Sequence, residues 1–102
     1  MKNVINKKRY YISGKLLDET YYLNGKFHRE DGPAVIEYFE NGNIKKEVYY
    51  LNGLKERKDH PAIIEYFEDG CILKEFYCLN NMIHRENGPA VIGYNKNGSI
   101  RH

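Results

Sequence analysis

Three arginines recur at even spacing, Arg29, Arg57 and Arg85. Each is followed two positions later by Asp31, Asp59 or Asn87, and His28 and His84 precede the first and last of them. With Glu30 and Glu86 close by, each histidine has partners for acid/base work or for a share in a metal site. A common metal is excluded by geometry. If the segment between the histidines adds four strands at ~4.8 Å each, they stand on the order of 20 Å apart, whereas zinc ligands lie ~2.0–2.3 Å from the ion. His60 falls out of step with both, and His102 is terminal. Cys71 and Cys78 share one predicted strand, point to opposite faces, and stand roughly 23 Å apart at ~3.3 Å per residue, beyond the ~7 Å limit for a disulfide. They read as free thiols in a reducing cytosol, with Cys78 as a packing residue. Ser13 and Ser99 fall at turns and no glycine-rich loop leads into a helix, which leaves no serine nucleophile and no phosphate cradle. The expectation is a chain with no catalytic residues, no cofactor and no metal. Arginines that persist along the whole chain point to a folding role, each closing its own loop, with a row of guanidinium groups offered to a partner as the competing use.

The elements that position these residues follow from a repeat. Segments 19–46, 47–74 and 75–102 align at a period of 28, and the first two agree at 18 of 28 positions. Pro33, Pro61 and Pro89 form one column, Leu23, Leu51 and Leu79 another, Tyr38, Tyr66 and Tyr94 a third, and Gly42, Gly70 and Gly98 a fourth. Such self-similarity marks a tandem array of one supersecondary unit. Tyr10 and Gly14 continue the columns upstream, so 1–18 reads as an N-terminal arm and half-repeat cap on a single domain spanning 1–102. Ten Tyr, nine Gly and no Trp favour strands and turns. Within a unit, Ala34 to Phe39 reads as a strand, Asn41-Gly42 as a two-residue hairpin turn, and Ile44 to Leu51 as the returning strand. That register sets Glu37 opposite Lys46, Glu65 opposite Lys74, and Arg9 opposite Asp18, the same pair with its charges exchanged. Asn24 through Gly32 reads as a longer compact loop. The expected fold is all-β, a single antiparallel β-meander of about eight strands.

Alternation divides the sheet into two faces. Ala34, Ile36 and Tyr38 beside Glu47, Tyr49 and Leu51 form the expected core face, which must be covered by coiling of the sheet or by the long loops. The more variable face carries Tyr22, Phe39, Tyr50 and Phe67, aromatic residues placed to meet a partner, with His28, Arg29, Glu30, Arg57, Arg85 and Glu86 on the loops beside them. The net charge of +2 is uneven. Lys2, Lys7, Lys8 and Arg9 open the chain, leaving 12 basic against 14 acidic residues in the remainder. This reads as a solvated basic arm on a slightly acidic body, which argues against a nucleic-acid groove. No apolar run approaches the ~20 residues of a transmembrane segment and no signal peptide opens the chain, so the expected location is cytoplasmic.

The stretch Tyr21-Tyr22-Leu23-Asn24-Gly25-Lys26, then His28-Arg29-Glu30-Asp31-Gly32-Pro33-Ala34, then Tyr38-Phe39-Glu40-Asn41-Gly42, resembles the variant MORN-type repeats of bacteria and their viruses. The likeness covers residues 10–102 and extends to bacterial repeat proteins labelled as antitoxins of toxin–antitoxin systems. The 28-residue unit is longer than the usual MORN unit, and the middle copy of the loop motif departs to Glu56-Arg57-Lys58-Asp59-His60-Pro61. The resemblance implies an elongated antiparallel β-meander that binds macromolecules without catalysis.

The leading functional expectation is therefore a non-enzymatic protein-binding module that inhibits an intracellular protein. Its target would be a toxin or, if the gene is viral, a phage-defence nuclease of CRISPR type, the role of an anti-CRISPR. The alternatives are nucleic-acid or anionic phospholipid binding through the basic arm and sheet aromatics, and self-assembly, including a homodimer through edge strands.

Overall fold

The computed structural model describes residues 3–101, and every strand pairing in it is antiparallel. Among the described residues there is no helix. The strands are β1 (Ile5–Tyr10), β2 (Leu16–Leu23), β3 (Lys26–Phe27), β4 (Val35–Tyr38), β5 (Ile44–Val48), β6 (Tyr50–Leu51) and β7 (Leu54–Lys55). They continue as β8 (Ile63–Tyr66), β9 (Ile72–Phe76), β10 (Cys78–Leu79), β11 (Met82–Ile83), β12 (Val91–Tyr94) and β13 (Ile100–Arg101). The main sheet runs β1-β2-β4-β5-β8-β9-β12-β13, with β3 attached to β2, while β6-β7 and β10-β11 are separate two-stranded ribbons. The expected last strand reaches Ile100–Arg101, and His102 lies outside the described residues.

The expected cross-strand pairs form, but by a different route. Glu37 faces Lys46, Glu65 faces Lys74 and Arg9 faces Asp18. The turn between β4 and β5 is not the expected two-residue loop. Phe39 N–H donates to the Asn43 carbonyl at 2.8 Å and Gly42 N–H donates to the Phe39 carbonyl at 3.0 Å, with Gly42 alone in the left-handed region at φ 94°. This is a three-residue loop, residues 40–42, of the kind that ends in a left-handed glycine. It would shift the register by one. A bulge between Glu37 and Tyr38 in the ladder restores it, so Tyr38 faces Ile44 while Glu37 still faces Lys46. The same shift recurs between Glu65 and Tyr66 and between Arg9 and Tyr10.

Two-residue turns occur instead inside what reads as a long loop. Asn24 (φ 52°) and Gly25 (φ 77°) both lie in the left-handed region, as do Asn52 with Gly53 and Asn80 with Asn81. Positive φ at both positions defines the hairpin turn that matches strand twist, and Asn and Gly tolerate it best. Each turn closes a small ribbon, with Leu23 opposite Lys26, Leu51 opposite Leu54, and Leu79 opposite Met82. Asn41-Gly42 and Asn24-Gly25 are thus the same dipeptide in different turns.

The sheet is thin, with a shortest extent of 17 Å. Ala34, Ile36, Ala62 and Ile64 are buried on the expected core face, but Val48 on the opposite face is equally buried, and among the described residues no large side chain is completely enclosed. A one-sided core is therefore corrected to modest burial on both faces. Polar rows do much of the remaining packing. Glu19, Ile36, Glu47, Ile64, Glu75 and Ile92 are neighbours across the strands. Tyr38 donates its hydroxyl to Glu19 at 2.6 Å, and Tyr66 and Tyr94 make the same bond to Glu47 and Glu75. On the opposite face the buried Asp18 carboxylate is held by Arg9, the compensation a desolvated charge requires.

Candidate functional site: the arginine loops

A fixed set of bonds builds each loop from the strand that precedes it. Tyr21 N–H donates to the Ala34 carbonyl, Tyr49 N–H to Ala62 and Tyr77 N–H to Ala90, which ties the two ends of each loop together. The chain then returns, with His28, Glu56 and His84 donating their N–H groups to the carbonyls of Tyr21, Tyr49 and Tyr77. The following arginine folds over the ring of that same tyrosine. The guanidinium carbons of Arg29, Arg57 and Arg85 lie 4.1, 3.9 and 3.9 Å from the ring centres of Tyr21, Tyr49 and Tyr77. Each also donates an Nη1–H at 3.2 Å to the carbonyl of Pro33, Pro61 or Pro89. A Cβ at Gly32 would stand 3.0 Å from the Arg29 guanidinium carbon, so the glycine lets the backbone close on the far side of the stack. The loop-closing role expected of these arginines is what the bonds describe.

The first loop is packed and the third is open. His28 is buried, with its Nδ1 accepting the Asn52 N–H at 2.9 Å. Phe27 accepts the Gly53 N–H at 2.8 Å, and Arg29 N–H donates to the Tyr50 carbonyl at 3.2 Å. The first loop therefore leans on the β6-β7 ribbon. That ribbon joins the next one in turn, where Lys55 accepts the Asn81 N–H at 3.0 Å and donates its own N–H to Asn81 Oδ1 at 3.4 Å. His84 is exposed. Because Nδ1 of His28 accepts, its Nε2 carries the proton, and Nε2 is buried with no hydrogen-bond partner; the Glu30 carboxylate stands 3.8 Å away.

Several expected partner-facing residues make contacts within the chain. The rings of Tyr22 and Tyr50 are half-buried and pack on Phe27, each 5.0 Å from it, and burial pushes the Tyr50 hydroxyl pKa up. Phe39 and Phe67 sit at the other end of the strands, beside the 39–43 and 67–71 turns, under Lys45 and Lys96. The four aromatics do not form one patch. Phe27 was not singled out, although a two-residue turn at Asn24-Gly25 would have placed it opposite Tyr22. The basic arm is also corrected. Ile5–Tyr10 is a strand on β2, with Lys7 over the Tyr22 ring and Arg9 on Asp18, while Lys2 lies outside the described residues. Deleting 1–8 would therefore remove sheet as well as charge.

What is brought together lies between successive loops. One groove, of about 400 Å³, has Tyr49, Tyr50 and Leu51 between Arg29 to Gly32 on one side and Glu56 to Lys58 on the other. A second, of about 470 Å³, has Tyr77, Cys78 and Leu79 between Arg57 to Asp59 and His84 to Asn87. Beside the second groove, Leu79 (49%), Met82 (67%) and Ile83 (57%) are exposed; the columns of Leu79 and Ile83 hold half-buried residues in earlier units, so the repeat gives no signal for their exposure. Cys78 is buried and Cys71 exposed, both free. Among the described residues no three His, Cys, Asp or Glu side chains gather as a metal would need, and no helix is long and apolar enough to cross a membrane. No protein-family model, curated protein or solved structure matches the chain.

Proposed function

We propose that the chain is a non-enzymatic protein-binding module of the variant MORN type, three 28-residue repeats in one β-meander. It acts as a stoichiometric inhibitor of an intracellular protein such as a toxin or a CRISPR-type defence nuclease. The observation that carries this reading is the joined surface at the last ribbon, where exposed Leu79, Met82 and Ile83 border a groove walled by arginines. Apolar side chains grouped with arginine at a groove are the composition of an interface centre, whereas scattered exposed residues are ordinary. A nucleic-acid or phospholipid reading loses its main support once Lys7, Lys8 and Arg9 belong to a paired strand. Those same cations blunt β1 as an edge for homodimer formation.

The test is capture from the native host followed by reconstitution with the purified partner. A one-to-one complex by sedimentation, with the partner's activity lost at equivalence, is the expected result. A complex that forms without loss of activity overturns the inhibitor role, and failure of any captured protein to reconstitute overturns the module reading.

A further inference from the structure

We infer that the groove between the Arg57 and Arg85 loops binds an acidic, extended peptide segment of a protein partner, with Arg57 and Arg85 each taking a carboxylate. This rests on the binding-module reading and names the chemistry of its partner.

The first loop supplies the template. Arg29 stacks on Tyr21, donates Nη1–H to the Pro33 carbonyl, and donates its Nε–H to the Asp31 carboxylate at 3.0 Å. Arg57 and Arg85 hold the same stack and the same bond to a proline carbonyl, so their guanidinium planes are fixed in the same way. Neither has the carboxylate. Asn87 replaces the acid beside Arg85, and Asp59, with its backbone in the left-handed region at φ 61°, lies outside ion-pair distance of Arg57. Each of the two guanidinium groups therefore presents an unoccupied Nε–H edge, already oriented, of the sort that receives a carboxylate with little further loss of side-chain freedom.

Charge separates the two grooves. The one beside Arg29 is walled by three cations and three carboxylates, whereas the one between Arg57 and Arg85 has three cations, including Lys58, against two carboxylates, Asp59 and Glu86. His84 lines the second groove as well. Successive arginines are two main-sheet strands apart, on the order of 10 Å. A ligand that reaches both must be extended and carry acids along its length. Exposed Leu79 beside the floor offers an apolar contact between them.

The test uses the full chain and a short fluorescein-labelled peptide in which Glu alternates with Leu, its Gln counterpart, and a labelled single-stranded oligothymidylate, each followed by anisotropy. Binding of the Glu peptide alone is expected, weakened about tenfold by Arg85→Gln, equivalent to ~1.4 kcal/mol. Asn87→Asp, which places an acid where the first loop has one, is expected to weaken it similarly while unfolding at the wild-type temperature or above. That second variant keeps the result readable if Arg85→Gln fails to fold. Equal binding of the Glu and Gln peptides, tighter binding of the oligothymidylate, or no peptide binding overturns the inference. A reconstituted partner that binds wild type and Asn87→Asp equally also overturns the groove assignment while leaving the module reading intact, and absence of any reconstituting partner overturns only the latter.

Discussion

The loop that starts at His28 and the loop that starts at His84 have nearly the same sequence, His-Arg-Glu-Asp-Gly-Pro against His-Arg-Glu-Asn-Gly-Pro, yet one is packed and the other open. Each makes the same internal bonds, the arginine stacked on its tyrosine and bonded to its proline carbonyl. They differ in what leans on them. The first receives the β6-β7 ribbon, whose Asn52 N–H ends on the His28 imidazole, and its arginine is neutralised by Asp31. Local sequence therefore sets the internal bonds of a loop and, through Asp31 or Asn87, its free charge, while a neighbouring unit sets its burial.

The largest way to break this contrast is at the histidines. His28→Ala should cost ~2–4 kcal/mol in urea unfolding, because it opens a cavity and strips the Asn52 N–H of its acceptor, whereas His84→Ala should fall within about 0.5 kcal/mol of wild type. Equal effects would mean that the two loops are packed alike. Next come the tyrosine–glutamate pairs, which are the control because all units share them. Tyr66→Phe removes a hydrogen bond to a carboxylate and should cost about 1.5 kcal/mol by the same measurement.

Alkaline titration sharpens the control further. The hydrogen bond to Glu75, with burial second, raises the Tyr94 pKa to about 12, and Tyr38 and Tyr66 are pushed higher still, burial being the larger cause in both. The folded state holds these protons more tightly than the unfolded chain, where tyrosine titrates near ~10. Their contribution is therefore complete below pH ~10 and is lost as pH rises through about 12 for Tyr94. Tyrosinate absorbance should show a late phase that shrinks in Tyr94→Phe. The smallest expected effect is Asn87→Asp, a surface charge pair with Arg85 that should raise stability by ~0.2–1 kcal/mol in urea unfolding, with the gain fading in salt.

Much of the sheet was legible because it follows from local rules. The columns of Pro33, Tyr38 and Gly42 mark strand ends and turns, and the Glu37–Lys46 and Arg9–Asp18 pairs could be placed before any coordinates. Their register came out correct although the turn was misread, since a two-residue loop and a three-residue loop with one bulge give the same offset. The candidate site was less legible. Tyr22 and Tyr50 alternate onto a face that reads as free, but Phe27 returns across the Asn24-Gly25 turn to fill the space between them. Leu79 and Ile83 occupy columns that hold half-buried residues in earlier units, so their exposure left no mark in the repeat, whereas the Met82 column is exposed in every unit.

By itself the sequence determined the period, the strands, the pairings within each hairpin and the arginine that closes each loop, because these rest on residues close along the chain or on alternation of side chains. Only the tertiary structure decided that His28 is buried while His84 is open, that Asp31 pairs with Arg29 while Asp59 does not pair with Arg57, and that Ile5–Tyr10 is a strand along its whole length. The burial of His28 depends on one unit docking on the next, and the pairing of each arginine depends on the fold of its own loop as well as on the acid that the sequence supplies there.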